Sequence, residues 1–251
     1  MYKTLNAWVN WPLRRLGLEL RRKDSRDAFS IQSELIKQPA PIIFDVGAAV
    51  GGISARYKSL FPGAKIHAFE PFPESFAKLR ECFGASPNFK LNQVAISDAE
   101  GVIRFNSNRS ALTNSMLATD PLGADSWGEG VLETQTSIEV PATTIDLYSK
   151  ENAIDRIDIL KLDIQGGELR ALNGAASMLR LGRVTLVYLE IIHTPTYVGQ
   201  PHFEDYLQFL RGKGYIMLDT YHPVRKGHRL LQCDVIFIRD RPVPADSRVS
   251  P

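Results

Sequence analysis

The sequence predicts an α/β protein with a doubly wound, mostly parallel sheet, helices on both faces and a helical N-terminal extension. Three observations carry that reading. From Pro41 onward, strand-like and helix-like stretches alternate at the spacing of parallel strands joined by crossover helices. The stretch Ile42 to Gly52, IIFDVGAAVGG, runs a strand into a glycine-rich turn and then a helix. Such an element holds a nucleotide-like ligand at the carboxyl end of a parallel strand. Finally, four expected strands end in acids, Asp45, Glu70, Asp163 and Glu190, which gathers carboxylates on one sheet edge.

Residues 1–38 read as a leader. Leu5, Trp8, Val9, Leu13 and Leu16 fall near helical spacing around Pro12, and Arg14, Arg15, Arg21, Arg22 and Lys23 supply a basic side. With Trp8 and Trp11, this segment suits docking on a membrane surface, a partner or a second subunit, or packing on its own domain. Asp27 to Gln38 reads as a second helix, ended by Pro39 and Pro41.

The main domain spans 39–241. Pro41–Val46 is its first strand and Gly52–Phe61 the following helix, stopped by Pro62-Gly63. Lys65–Glu70 is the second strand, Pro73–Arg80 a helix with proline at an early position, and Phe89–Ala95 the third strand. The rhythm then breaks. Val102–Asn106 and Ser137–Val140 read as short strands around a stretch rich in Asn, Ser, Gly and Asp, expected to loop over a ligand with Asn114 and Ser115 as contacts. Thr144–Asn152 is a helix, Ile157–Asp163 a strand, and Glu168–Leu181 a helix interrupted at Gly174. Val184–Glu190 is apolar and β-branched enough for a central strand. Phe203–Lys213 is a helix, Tyr215–Asp219 and Asp234–Arg239 the last strands, and 242–251 a frayed tail.

At 251 residues the chain can bury one sizeable core, and its 44% hydrophobic and 23% charged content is ordinary for a globular protein. The net charge of +2 does not predict nucleic-acid binding. Seven bases against two acids fall within 1–26, which leaves the main body slightly acidic. Two cysteines, Cys82 and Cys233, imply neither a disulfide framework nor a cysteine metal site. No run reaches the length of a transmembrane span and no signal peptide is evident, so a cytoplasmic protein is expected.

The chemistry follows from what the first turn lacks. Gly47, Gly51 and Gly52 do not make G-x-G-x-x-G, and no Lys-Ser/Thr pair is present to hold phosphates. Asp45 at the strand end would repel a pyrophosphate and suits a ligand with positive charge, such as S-adenosylmethionine. Glu70, ending the second strand, is placed to accept ribose hydroxyls. Gln165-Gly166-Gly167-Glu168 forms a second glycine-rich turn after Asp163, and His193 follows Glu190, with a side chain suited to proton abstraction near neutrality.

Those residues carry a resemblance. The ordered set FDVGAAVGG, HAFEPFPESF, VAISDAEG, PATTIDL, IDILKLDIQGGELRALNGA, VYLEIIH and QCDVIFI, from about Ile42 to Ile238, resembles the FkbM family of S-adenosylmethionine-dependent methyltransferases. The resemblance implies a Rossmann-like class I methyltransferase fold of seven strands, the last antiparallel, and O-methylation of a sugar, glycoconjugate or other small molecule. By position it implies Asp45, Gly47, Ala48 and Gly51 in the cofactor loop, Glu70 at the ribose, Pro71 and Phe72 flanking the adenine, and Asp98 or Ser97 at the adenine amine. Ala49 stands where the family often has Asn. The acceptor side is assigned to Asp163, beside the methyl, to Glu190, and to His193 as proton acceptor. Two other readings stand beside this one: a non-catalytic protein that keeps the cofactor fold, and a metal-dependent O-methyltransferase using Asp163 and Glu190 as oxygen ligands.

Overall fold

The computed structural model describes residues 27–240. The basic segment 1–26 and the expected tail 242–251 lie outside the described residues.

Helix α1 (Ala28–Leu35) starts on Asp27, whose Oδ1 accepts the Phe29 amide at 2.8 Å and so satisfies a donor the helix cannot. Phe29 is buried against Tyr57 and Tyr188, at ring separations of 5.3 and 5.7 Å. This second helix of the expected leader is therefore part of the core.

Strand β1 (Ile42–Val46), helix α2 (Gly52–Leu60), strand β2 (Lys65–Phe69), helix α3 (Pro73–Phe83) and strand β3 (Phe89–Asn92) follow. Beyond them lie β4 (Ala95–Ile96), β5 (Gly101–Asn108), the short helix α4 (Gly123–Trp127) and β6 (Thr134–Thr143). The rest is α5 (Ile145–Glu151), β7 (Ile157–Leu162), α6 (Glu168–Asn173), α7 (Ala176–Arg180), β8 (Val184–Ile192), α8 (Phe203–Arg211), β9 (Tyr215–Lys226) and β10 (Arg229–Arg239). Seven strands form one sheet in the order β3-β2-β1-β7-β8-β10-β9. Pairing is parallel from β3 to β8, and β10 runs antiparallel to both its neighbours. The order reverses between β1 and β7, and at such a switch point the strand ends open a crevice. None of the described helices is long and apolar enough to cross a membrane.

The sheet is buried on both faces. Phe44, Phe69, Leu160, Val187 and Phe237 pack on one side, and Ile43, Ile66, Ile159, Leu186 and Ile236 on the other. Strand β7 is buried along its whole length, Lys161 included.

Two expected strands need correction, and a third element is as read. The third strand does not run through to Ala95: Asn92 turns its amide onto the carbonyls of Ala68 and Lys90, and Ala95–Ile96 joins β6 and β5 in a separate three-stranded sheet. The interruption expected at Gly174 is present and divides 168–181 into two helices. A Cβ at Gly174 would lie 2.1 Å from the Ser97 carbonyl oxygen, and the Gly174 carbonyl accepts the Asp146 amide, so the chain bends there. The strand expected to stop at Glu190 continues to Ile192, which places Glu190 inside β8. Strand β1 lies between β2 and β7, and β8 lies one strand beyond β7.

Candidate active site

A cleft open to solvent lies over the carboxyl ends of β1, β2 and β7, the place where ligands bind in open α/β sheets. Its floor includes Val46, Gly47, Ala49, Phe69, Glu70, Pro71 and Ser75; Asp163, Ile164 and Gln165 close one end. The small sheet supplies Ala95, Ile96 and Phe105. The strap between β5 and β6 supplies Ala111, Leu112, Asn114 and Met116.

The β1 turn is built by backbone. Gly47 has φ +76°, and a Cβ on it would lie 1.9 Å from the Asp163 carbonyl oxygen, so no other residue fits. The amides of Gly47 and Ala48 both donate to the Phe69 carbonyl at 3.0 Å, which clasps the turn to β2. Ala49, at φ 49°, donates its amide to Glu70 Oε2 at 2.8 Å, and the Phe72 amide donates to Glu70 Oε1 at 2.9 Å. Glu70 is thus fixed at both oxygens with lone pairs to spare on the cleft wall. Burial raises its pKa, and those two amides pull it back.

Asp45 does not reach the cleft. It is 0% exposed, accepts the Ser54 hydroxyl at 2.6 Å, and sets Oδ1 3.0 Å from Lys161 Nζ in an ion pair off the axis of a hydrogen bond. Its negative charge is therefore compensated inside the protein, against the expectation of direct contact with a cationic ligand. Ala48 is buried with Ala68 and Leu79, and Gly51 caps α2 at φ 93° beneath Phe83. Pro71 stands on the cleft wall, whereas the Phe72 ring turns to Phe105, 6.5 Å away. Ser97 and Asp98 hydrogen-bond each other at 3.0 Å off the cleft, where Val94, Ala95 and Ile96 stand instead.

The other end is built by side chains. Gln165, at φ 54°, donates Nε2 to Glu190 Oε2 at 2.5 Å and to Asp163 Oδ1 at 3.2 Å, and its Oε1 accepts the Tyr197 hydroxyl at 3.0 Å. Gln232 donates to the other Glu190 oxygen at 2.9 Å. Burial raises the Glu190 pKa well above the carboxylate range, and the charges of Asp163, Glu168 and Asp234 add to that. Glu168 accepts the amides of Ile164 at 2.8 Å and Gly166 at 3.4 Å, and burial lifts its carboxyl to about 7. In the strap, Ser115 donates to the Gln165 carbonyl at 2.7 Å and Asn114 accepts the Asn108 amide at 2.8 Å.

His193 is not brought to the cleft. Its Nε2 stands 3.2 Å from Cys233 Sγ, its ring packs by Phe203, and burial lowers its pKa while Glu204 opposes that. A different histidine, also off the cleft lining, is paired with a carboxylate. His222 Nδ1 stands 2.7 Å from Asp234 Oδ2, which also accepts the Tyr188 hydroxyl at 2.5 Å, and Asp234 is the register partner of Glu190. His222 sits at φ 46° where the β9–β10 register slips, a bulge that re-aims its ring.

Sequence reasoning missed Lys161 and the His222–Asp234 pair, and it placed Gln165 in the second turn without giving its side chain a role. Lys161 did leave a signal, a lone charge in the apolar run IDILKL, since a lysine buried there must be paired. His222 and Asp234 left none, because strand pairing alone brings them together. Among the described residues no group of three or more His, Cys, Asp or Glu is placed to hold a metal ion.

The chain is 29% identical over 203 residues to 2-O-methyltransferase NoeI of Sinorhizobium fredii, covering 73% of this chain and 81% of that protein. It is 27% identical over 214 residues to 31-O-demethyl-FK506 methyltransferase FkbM of Streptomyces tacrolimicus, covering 78% of this chain and 80% of that one. Among solved structures, an rRNA methylase from Streptococcus thermophilus overlays 88% of this chain and 99% of its own at 12% identity and a TM-score of 0.47. The family model described as the methyltransferase FkbM domain matches residues 45–217. With the glycine turn, the fixed Glu70 and the switch-point cleft inside those bounds, the chain belongs to the FkbM-domain methyltransferases.

Proposed function

We propose that the cleft takes S-adenosylmethionine and that the enzyme methylates a hydroxyl on a sugar, glycoconjugate or other small molecule. The observation that carries this is Glu70, anchored through two backbone amides with its remaining lone pairs on the cleft wall, the arrangement that accepts a pair of vicinal hydroxyls. The hydroxyl acceptor is supported by the two relatives, both named as O-methyltransferases. When bound, the cofactor supplies a methyl on a sulfonium, which needs alignment more than activation.

The chain's own residues then have two tasks. The Gly47 turn and Glu70 fix one ligand, and Asp163, with Gln165 and Glu190 behind it, orients the acceptor. For the hydroxyl proton, His193 is the residue its chain position suggests, on condition that its ring leaves Cys233. A second reading takes His222, whose Nδ1 is held by Asp234 and leaves Nε2 to accept the proton, on condition that the acceptor reaches beyond the cleft lining to it.

Oligosaccharide and small-molecule pools incubated with methyl-labelled S-adenosylmethionine test the proposal by mass spectrometry. The expected product is one methylene heavier and carries the label on oxygen. Label on nitrogen or carbon, or no cofactor binding by calorimetry, overturns it. His193→Ala and His222→Gln assayed on that product separate the two bases, since loss of a general base costs about 10²–10⁴-fold in rate.

A further inference from the structure

The segment expected to meet an adenine does not do so. Ser97 and Asp98 bond each other off the cleft, and the residues on its wall in their place, Val94, Ala95 and Ile96, carry no polar side chain. With Pro71 and Phe105 they make an apolar slot beside Glu70, which suits a flat base but offers it no side-chain donor. The ring nitrogens of adenine accept hydrogen bonds, so a side chain that reads them has to donate.

The polar side chains lining the cleft are Glu70, Ser75, Asn114, Asp163 and Gln165. Carboxylate anions only accept, and Gln165 gives its Nε2 hydrogens to Asp163 and Glu190. Asn114 differs. It is 9% exposed, and its Oδ1 accepts the Asn108 amide at 2.8 Å. A backbone N–H can only donate, which settles the oxygen and nitrogen ends of this side chain. Asn108 is itself held, by its Nδ2 on the Thr113 carbonyl at 2.6 Å and by the Thr134 hydroxyl on its Oδ1 at 2.9 Å. Ser115, next along the chain, commits its hydroxyl to the Gln165 carbonyl and bridges to Asn106, so Asn114 sits at an anchored root of the strap.

No described residue accepts from Asn114 Nδ2. The buried side-chain atoms left without a partner among the described residues are Gln32 Nε2, Asp45 Oδ1 and Ser149 Oγ, so Asn114 Nδ2 is not sealed in the interior. Two hydrogens on a rigidly held amide therefore open on the cleft. Ser75 also has a hydrogen to give, but no bond orients its hydroxyl.

We propose that Asn114 recognises the adenine of the bound cofactor, donating from Nδ2 to a ring nitrogen while Glu70 takes the ribose hydroxyls. The proposal rests on the cofactor reading above. The base is then read from the strap root and not from the segment after β4.

The experiment is calorimetry of S-adenosylhomocysteine and of its deaza forms lacking N1, N3 or N7 on the full chain, wild type against Asn114→Asp. Each deaza form replaces one ring nitrogen by C–H. Aspartate keeps an oxygen for the Asn108 amide and removes both donated hydrogens, so the strap root stays anchored. The variant should bind S-adenosylhomocysteine roughly ten-fold or more weakly. Wild type should lose roughly three- to ten-fold on one of the deaza forms, and the variant no more than about two-fold on that same form. A structural role for Asn114 would weaken all four ligands alike and leave the wild-type differences intact, which overturns the proposal. Unchanged binding by the variant overturns it too, as does a wild type indifferent to every deaza form. Should Asn114→Asp fail to fold, the side-chain amide signals of Asn114 in NMR spectra of the wild type carry the test. They must shift on adding S-adenosylhomocysteine and shift less with the weakly bound deaza form; signals that stay put are fatal. A wild-type chain that binds none of the four ligands refutes the cofactor reading instead.

Discussion

The two ends of the cleft solve the same problem, fixing a ligand at strand ends, with different materials. At β1 and β2 the groups that hold position are amides and carbonyls, clasped by Gly47, Ala48, Ala49 and Phe72 around one carboxylate, Glu70. At the other end they are side chains, Gln165 on the cleft with Glu190 and Gln232 behind it, gathered from positions up to 67 residues apart. Backbone geometry tolerates no substitution where a Cβ has no room. A side-chain network can be rewritten one residue at a time. The first end is suited to an invariant ligand and the second to a ligand that differs between relatives.

The largest test of that contrast is a pair of glycines. Gly47→Ala must fit a methyl against the Asp163 carbonyl at a positive φ, and should cost more than about 100-fold in S-adenosylmethionine affinity by calorimetry. Gly166→Ala also carries a positive φ, but its nearest neighbours are the Leu117, Tyr197 and Gln200 side chains, which can move. A loss of roughly ten-fold or less is expected there. Equal losses would break the contrast.

Next comes the buried carboxyl beneath the second end. Glu168 is held at about 7, so between its ordinary 4.5 and 7 the folded chain keeps a proton that the unfolded chain releases. The unfolded state then binds fewer protons, and this contribution to stability, complete below about pH 4.5, is lost as the pH rises through 7. Glu190 acts in the same direction. Urea unfolding of Glu168→Gln should show a flatter pH dependence, by up to about 3 kcal/mol. An unchanged profile would mean that the carboxyl is relieved in some other way.

Glu70→Ala sharpens the first end. Removing a charged partner costs on the order of 1.5–3 kcal/mol, so cofactor affinity should fall roughly ten- to a hundred-fold. Unchanged calorimetric binding would exclude Glu70 from the ribose site. The smallest effect is expected at His193. With its ring against Cys233 and Phe203, His193→Ala should leave cofactor affinity within about two-fold, and a larger loss would put that residue at the first end after all.

The same contrast explains how much the sequence disclosed. The strand–turn–helix at Ile42–Leu60 and the acid after β2 are local, and composition reveals them because glycine and a strand-end carboxylate are what that geometry needs. The sheet was legible because its central strands β1, β7 and β8 are apolar on both faces. The interruption at Gly174 was legible too, though its cause, contact with Ser97, was not, and neither was the break of β3, which Asn92 makes by a bond to Ala68. At the second end, His193 stood out by its place in the chain while His222 did not. A bulge and a register pairing decide which imidazole meets a carboxylate, and neither is written in local spacing.

The strap over the cleft leaves from β5 and returns in β6, two strands of one antiparallel pair outside the seven-stranded sheet. Its stem is closed by the Asn106–Ser115 bridge and by the Arg109 amide donating to the Glu133 carbonyl at 2.8 Å. Chain added beyond such a stem costs little loop-closure entropy, about 0.6 kcal/mol for each doubling of length. A lineage could therefore lengthen, shorten or exchange this segment, altering which acceptor is admitted while the methyl-donor half is inherited unchanged. The stem gives the enzyme an evolutionary port: a place where new specificity can be spliced in without refolding the machine behind it.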